Sequence, residues 1–497
     1  MCAFAAVSIA CPAQSSTPAS KPQTKMTKQQ TEELFRSVDD IFAFASKDSH
    51  LQKKHDIKRE MDSRASVTKL LEKNFKDDES AKRLQRSELV LKKFGLLDRD
   101  FNLRPFLISL LTEQIAGFYD AKTHVIHMLD WVAPEEQKPV LAHELTHALQ
   151  DQHVPMEKWS NVSKTDVSHN AQQDREHIAV DEASTARQSV TEGQGMIVYL
   201  DYVLKPQGVT LATAPEIGDR LRSFAETSAA GSPVMSRAPL LLQESLMFPY
   251  TDGLYFEYQV QKERGTDAAF AGTLDHPPST SHEILHPQEY LAHMVPPVLN
   301  MPDVHPLLDK EWEPYDVGTL GELDVRITAE LFGGKELGEA LAPAWAGGIY
   351  YAAQRRSATP AEKATPASIG FLYYSEWKNE DSARSFMRMY AGRLGRKYSG
   401  VKKVSPEDDQ DHQTFNTSEG DVVLTLEDRG VFISEGFDRA TAKQLDGLFR
   451  GVQGNGPMHT ATVSMPRMNE PAMTLSKWMN SFGITHAAMQ HARRVAH

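Results

Sequence analysis

The chain has 497 residues, 40% of them hydrophobic and 24% charged, with a formal net charge of −13. That length allows two or three domains of ordinary globular composition, and the acidity argues against nucleic acid or an anionic membrane surface as a partner. No run of 18 consecutive apolar residues occurs, so no membrane-spanning helix is expected.

The only cysteines are Cys2 and Cys11, which leaves the rest of the chain without disulfides or thiolate metal ligands. Residues 2–11 are small and apolar, and residues 12–25 are rich in Pro, Ser and Thr. Residues 1–25 therefore read as the end of a secretory signal and a flexible leader, predicting a periplasmic or extracellular protein. The segment lacks a basic n-region, so a cytoplasmic protein with a disordered terminus is the alternative. Ser8-Ile9-Ala10 before Cys11 is a poor lipid-attachment sequence.

Residues 26–305 read as one mainly helical domain. Leu34, Val38, Ile41 and Phe42 mark one face of a helix over 32–45. Ser66 suits the N-cap of a helix reaching Phe75. Further apolar stripes run over 89–94 and 106–115. Gly117 to Leu129 changes character and predicts a short β-hairpin, with strands at 118–119 and 124–128. Pro134 or Pro139 suits a first helical turn, and Glu135 and Glu136 suit its dipole, for a helix running to about Asp151. A polar loop over 155–173 and one long helix over 174–204 follow. Residues 215–305 read as helical, with Pro-rich turns at 233–239 and 277–279.

The prolines at 296, 297, 302, 306 and 314 mark a boundary. Residues 312–452 alternate strands (348–353, 369–374, 422–426, 431–434) with helices (381–394, 440–449), a smaller C-terminal α/β domain. Residues 453–497 form a weakly patterned tail. The fold class expected is α+β.

The chemistry centres on His143-Glu144-Leu145-Thr146-His147, a His-Glu-x-x-His motif. On a helix, residues four apart share a face, so both imidazoles reach one metal ion, expected to be Zn²⁺. Glu144 stands one step round, where it can act as general base on a metal-activated water. A structural metal site has little use for a carboxylate there.

Two completions compete for the third ligand. His153 stands where metzincins carry theirs, but that geometry needs a glycine at position 150 to turn the chain. Gln150 continues the helix, which would leave His153 about 15 Å away. The other candidate is a carboxylate on the next long helix. Glu192, followed by Gly193 and Gly195, fits a helix that approaches the motif closely. Asp181 would share Glu192's face, but about 16 Å along the axis, as a supporting or structural carboxylate. Glu176, His177 and Glu182 are weaker ligand options that read as solvated helix-face residues, and His124 and His127 read as surface or packing residues.

HELTHALQDQ at 143–152 with EGQGM at 192–196 resembles a group of bacterial zinc metallopeptidases of gluzincin type. Phe94 to Leu97, Glu113 to Asp120, Phe248-Pro249-Tyr250, Pro277 to Thr280 and His286 to Tyr290 look like that group's other signatures. The resemblance extends over about residues 30–300 and more loosely over 315–450, where Ala344 to Gly348 resembles a Trp-Gly-Gly-Asp element without its Asp. It implies Glu192 as the third zinc ligand. Gluzincins also carry a His or Tyr that stabilises the oxyanion, for which Tyr250, Tyr255, His286 and Tyr290 are candidates. Tyr119 and the 124–128 strand suit a sheet edge on which a peptide pairs.

The expectation is a zinc metallopeptidase acting on a peptide or protein substrate, with His143, His147 and Glu192 as ligands and Glu144 as base. The alternative is a metal-binding scaffold without catalysis.

Overall fold

A computed structural model describes residues 25–74, 78–160, 170–218, 234–296 and 298–453. The cysteines, residues 1–24 of the leader, most of the polar loop and the 454–497 tail lie outside the described residues. The fold is α+β and mainly helical, with a three-stranded and a seven-stranded sheet. No helix among the described residues is long and apolar enough to cross a membrane.

The first helix, Lys28–Ser49, begins at a capping box in which Thr27 and Gln30 satisfy each other's main-chain N–H. Its buried face carries Leu34, Val38, Ile41, Phe42 and Ala45, as the apolar rhythm predicts. The next helix is Arg64–Asn74, so Ser66 lies inside its first turn rather than at the cap. Its hydroxyl bonds Asp62 and Ser63 instead.

The small sheet has the order β1 (Lys58–Asp62), β3 (Val125–Leu129), β2 (Phe118–Asp120). β2 and β3 form the expected hairpin. β1 pairs parallel with β3, which makes the 125–129 strand central and leaves β2 at the edge. The motif helix, Pro134–His153, follows β3 directly. Buried Gln137 fixes that junction: its amide donates to Leu129 O and Val132 O and accepts from Leu129 N.

The second long helix is broken. A helix over Ala171–Ile178 gives way to a turn at 179–182, and the helix of the candidate ligand Glu192, or ligand helix, runs over Ala183–Leu204. Tertiary contacts set the break. Asp181 accepts from the Thr319 N–H at 2.7 Å, and Glu182 accepts from Ser281 N and Oγ. Asp181 therefore does not share Glu192's face. A third helix, Leu240–Arg264, crosses the ligand helix.

The larger sheet begins with Trp312, at the expected boundary. Its order is β4 (Trp312–Thr319), β5 (Trp345–Arg355), β6 (Ile369–Trp377), β10 (Gly430–Glu435), β9 (Gly420–Glu427), β8 (His412–Thr417), β7 (Lys402–Lys403). Every pairing is antiparallel, so strands and helices occur as expected but without parallel βαβ units. One apolar core runs from Leu34 in the first helix to Ile433 in β10. The boundary is a change of architecture, not a gap in packing. Phe94 packs against Phe371, Tyr373 and Tyr390. A buried ion cluster reinforces the joint. Lys397 and Tyr390 each meet Glu435 at 2.5 Å, and Lys93 meets Glu419 at 3.1 Å.

Asp48 near the end of the first helix faces Asp201 on the ligand helix. Burial, together with the neighbouring carboxyl, pushes Asp201 well above the usual carboxylate range, and burial pushes Asp48 up to about 7. A raised native pKa means that the folded state holds protons the unfolded chain has released. The stabilisation is thus complete below about pH 4 and is lost as pH rises through about 7. Asp201→Asn keeps the acceptor for Leu211 N–H, which Asp201 now holds at 2.6 Å, and removes one charge. Urea titrations should show it more stable than the native chain by about 1–2 kcal/mol at pH 8, with the gap closing by pH 5. An equal gap at both pH values would show that burial does not raise these carboxyls.

Candidate metal centre

The motif helix places His143 and His147 one turn apart, facing the ligand helix. His143 Nε2 lies 3.0 Å from Glu192 Oε2 and 3.1 Å from His147 Nε2. His147 Nε2 lies 3.5 Å from the same Glu192 oxygen. Three donor atoms from two helices thus form a small triangle. A tetrahedral zinc with ligand distances of about 2.0–2.2 Å sets its donors about 3.3–3.5 Å apart. The observed edges fit that size within a few tenths of an ångström.

Each residue of the EGQGM stretch has a separate task. Glu192 enters the triangle. Gly193 meets Gly253 of the crossing helix so closely that a Cβ would stand 2.3 Å from Gly253 O. Gln194 is buried and donates to Ala269 O, Phe270 O and Thr273 Oγ1. Gly195 leaves room for the His143 ring, since a Cβ there would lie 2.7 Å from its Cε1 and Nδ1. Met196 packs in the core.

Gln150 is more than a helix former. Its Nε2 donates to Thr191 O and to Gln194 Oε1 at 3.0 and 2.9 Å. That fixes its carbonyl oxygen toward His147 Nδ1, which donates to it at 2.8 Å. Nδ1 therefore carries a proton, which leaves Nε2 as the nitrogen facing the triangle, the arrangement a metal ligand requires. Gln150→Ala should weaken zinc binding about 10–100-fold, read by competition with a chromogenic chelator. An unchanged affinity would remove Gln150 from the site.

Glu144 is buried beside the triangle. Its Oε2 accepts the Tyr119 N–H of edge strand β2 at 3.0 Å. Its Oε1 is buried without a protein partner, as a carboxylate serving an exchangeable reactant would be. Burial pushes Glu144 up to about 8, opposed by His147 and aided by Glu192. Burial alone would also raise Glu192, but the two imidazoles hold it far below its usual range. His143 is pulled down by burial. Burial likewise acts against charge on His147, yet the carboxylates of Glu192 and Glu144 lift it to about 9. Two buried carboxylates thus draw positive charge to one point, which is the electrostatic demand a divalent cation meets. His143 and Glu192 are buried, and only His147 of the three triangle residues has appreciable exposure, at 15% of its side chain. The open side of the triangle is on its flank.

The other sequence candidates lie elsewhere. His153, at the end of the motif helix, pairs with Asp275 at 3.0 Å. His124 bonds Asp151, and His127 bonds Asp62 and stacks on Phe118. His177 pairs with Asp181. Among the oxyanion candidates, Tyr250 of the Phe-Pro-Tyr signature lies over the His143 ring, with centroids 6.2 Å apart. Tyr290 donates to His276 O, and His286 contacts Glu322.

Among the described residues two triplets could hold a metal ion: His143, His147 and Glu192, and also His282, His286 and Glu322. The second was not singled out from the sequence, although it too contains a His-Glu-x-x-His spacing, His282 to His286. Comparison of the chain with protein-family models, curated proteins and solved structures returned no match. The gluzincin resemblance rests on the residues quoted above.

Proposed function

We propose that this chain is a zinc-dependent peptidase, with His143, His147 and Glu192 as metal ligands and Glu144 as general base. The observation that carries the reading is the three-atom triangle on two helices with the Glu144 carboxylate set beside it. Zinc, when bound there, lowers the pKa of a water to about 7 and polarises the scissile carbonyl. Glu144 takes the proton as water attacks and returns it to the departing amine. The Tyr119 N–H holds one Glu144 oxygen, so the other is free for that transfer. Gln150 keeps His147 in the ligating tautomer, and Gly195 keeps the His143 ring in place. The open edge of β2 borders the cluster through Tyr119, so an extended peptide added along that edge would run past Glu144.

The test is cleavage of a mixed peptide library by the purified full-length chain. A zinc-selective chelator should abolish cleavage, and a stoichiometric amount of Zn²⁺ should restore it. Cleavage that survives complete metal removal would overturn the proposal.

A further inference from the structure

The second His-Glu-x-x-His lies on the short helix Ser281–Leu285, with its second histidine just beyond. His286 is followed by Pro287, which ends the helix there. The chain nevertheless keeps the two rings together, with centroids 4.4 Å apart. Facing them is Glu322, the first residue of the helix Glu322–Gly333 that follows β4. His282 Nδ1 lies 2.5 Å from Glu322 Oε2. His286 Nε2 lies 2.9 Å from both Glu322 oxygens.

The surroundings divide the roles further. His282 Nε2 is 2.9 Å from Glu289 Oε2. Donation of that N–H to Glu289 leaves the Nδ1 lone pair directed at Glu322. This is the carboxylate–histidine relay that orients metal-ligating imidazoles. Glu283, in the position that Glu144 holds in the first motif, is committed elsewhere. Its Oε2 accepts from Ser279 N and Oγ, each at 2.7 Å, and from Thr280 N and Oγ1. It caps its own helix. The cluster therefore has ligands and an orienting carboxylate but no general base.

We propose that His282 Nδ1, His286 Nε2 and Glu322 form a second, structural site for a divalent cation of the zinc type. Both Glu322 oxygens face the imidazoles, so a bidentate carboxylate supplies four donor atoms in all, the number a closed structural site uses. The donor set, two imidazoles and a carboxylate, suits zinc better than calcium or magnesium. Burial of His282 and Glu322, at 3% and 2% exposure, suits a cation that is retained rather than exchanged. Seating it would open the shortest contact by about 0.8 Å, within the reach of a side-chain rotation. The site joins the two architectures of the molecule. Its histidines belong to the helical part, and Glu322 to the part built on the large sheet. Asp181 already accepts the Thr319 N–H across the same joint, at 2.7 Å. The inference is independent of the proposed peptidase activity.

The experiment is zinc content per chain after exhaustive dialysis, on the full-length protein. The native chain should hold two zinc ions, His143→Ala/His147→Ala one, and Glu322→Gln one. Combining all three substitutions should leave none. In the His143→Ala/His147→Ala protein first stripped of metal with a chelator, added Zn²⁺ should raise Tm, and Glu322→Gln in that background should abolish the rise. Gln at 322 keeps the shape of the side chain, so folding of that variant is checked by its unchanged circular dichroism. A native chain with a single zinc that His143→Ala/His147→Ala removes would overturn the proposal. It would leave His282 as an imidazolium bridging Glu289 and Glu322. Zinc retained at full stoichiometry in Glu322→Gln would overturn it as well.

Discussion

Glu144→Gln should bind zinc as the native chain does and lose about 10³–10⁴-fold in kcat/KM on a cleaved peptide. The amide matches the carboxylate in shape, and its carbonyl oxygen can still accept the Tyr119 N–H that Glu144 now holds at 3.0 Å. Glu144 contributes no atom to the triangle of His143, His147 and Glu192, so the donor set is untouched. What the amide cannot do is take a proton from water and return it to an amine. Stability should not fall, because the amide keeps the shape and the main-chain contact of a group whose charge burial disfavours. The experiment combines metal analysis with kinetics on one preparation. Zinc retained with activity lost would match the proposal. Activity within tenfold of the native chain would sink the general-base assignment, whatever the metal content. Loss of zinc would instead make Glu144 part of the binding site.

Local signals carried most of what was legible. The motif helix announces itself by Pro134, two early glutamates and a buried face. The two imidazoles follow from their four-residue spacing, whereas the residues alone leave Glu192 in competition with His153 and the gluzincin resemblance favours it. The unread features depend on contacts distant in sequence. β1 reads Lys-Arg-Glu-Met-Asp and has no alternating pattern. It becomes a strand because β3 offers it a partner, about 65 residues on. The break at 179–182 has no Pro or Gly to mark it, and Thr319 and Ser281 set it from far along the chain. Gln150 looked like an ordinary helix former because the absence of glycine was the informative point about position 150. Its hydrogen bonds to Thr191, Gln194 and His147 exist only once two helices meet. His282 to His286 was legible as a motif, but its third member, Glu322, lies on the far side of the proline-rich boundary. Nothing local connects them.

The two glycines of EGQGM give the sharpest structural test, because the same substitution should fail in different ways. Glycine to alanine in an exposed helix normally stabilises by about 1 kcal/mol through backbone entropy. Both positions should show the opposite sign. At Gly193 the added Cβ would meet Gly253 O at 2.3 Å, Gly253 C at 2.5 Å and Leu254 N at 3.0 Å. All three are main-chain atoms of the crossing helix, so no side chain can move aside and the two helices must separate. Gly193→Ala should cost about 3 kcal/mol or more in unfolding free energy. At Gly195 the obstacle is the His143 ring, with Cε1 and Nδ1 at 2.7 Å. A ring can tilt, so the cost in stability should be smaller, about 1–2 kcal/mol. The tilt would carry Nε2 away from its 3.0 Å approach to Glu192. Gly195→Ala should therefore fold, yet bind zinc about 10–100-fold more weakly, the range seen when ligand orientation is lost. Urea midpoints and chelator competition on both variants separate the cases. A Gly195→Ala protein with native zinc affinity would show that the glycine is there for the helices and not for the imidazole.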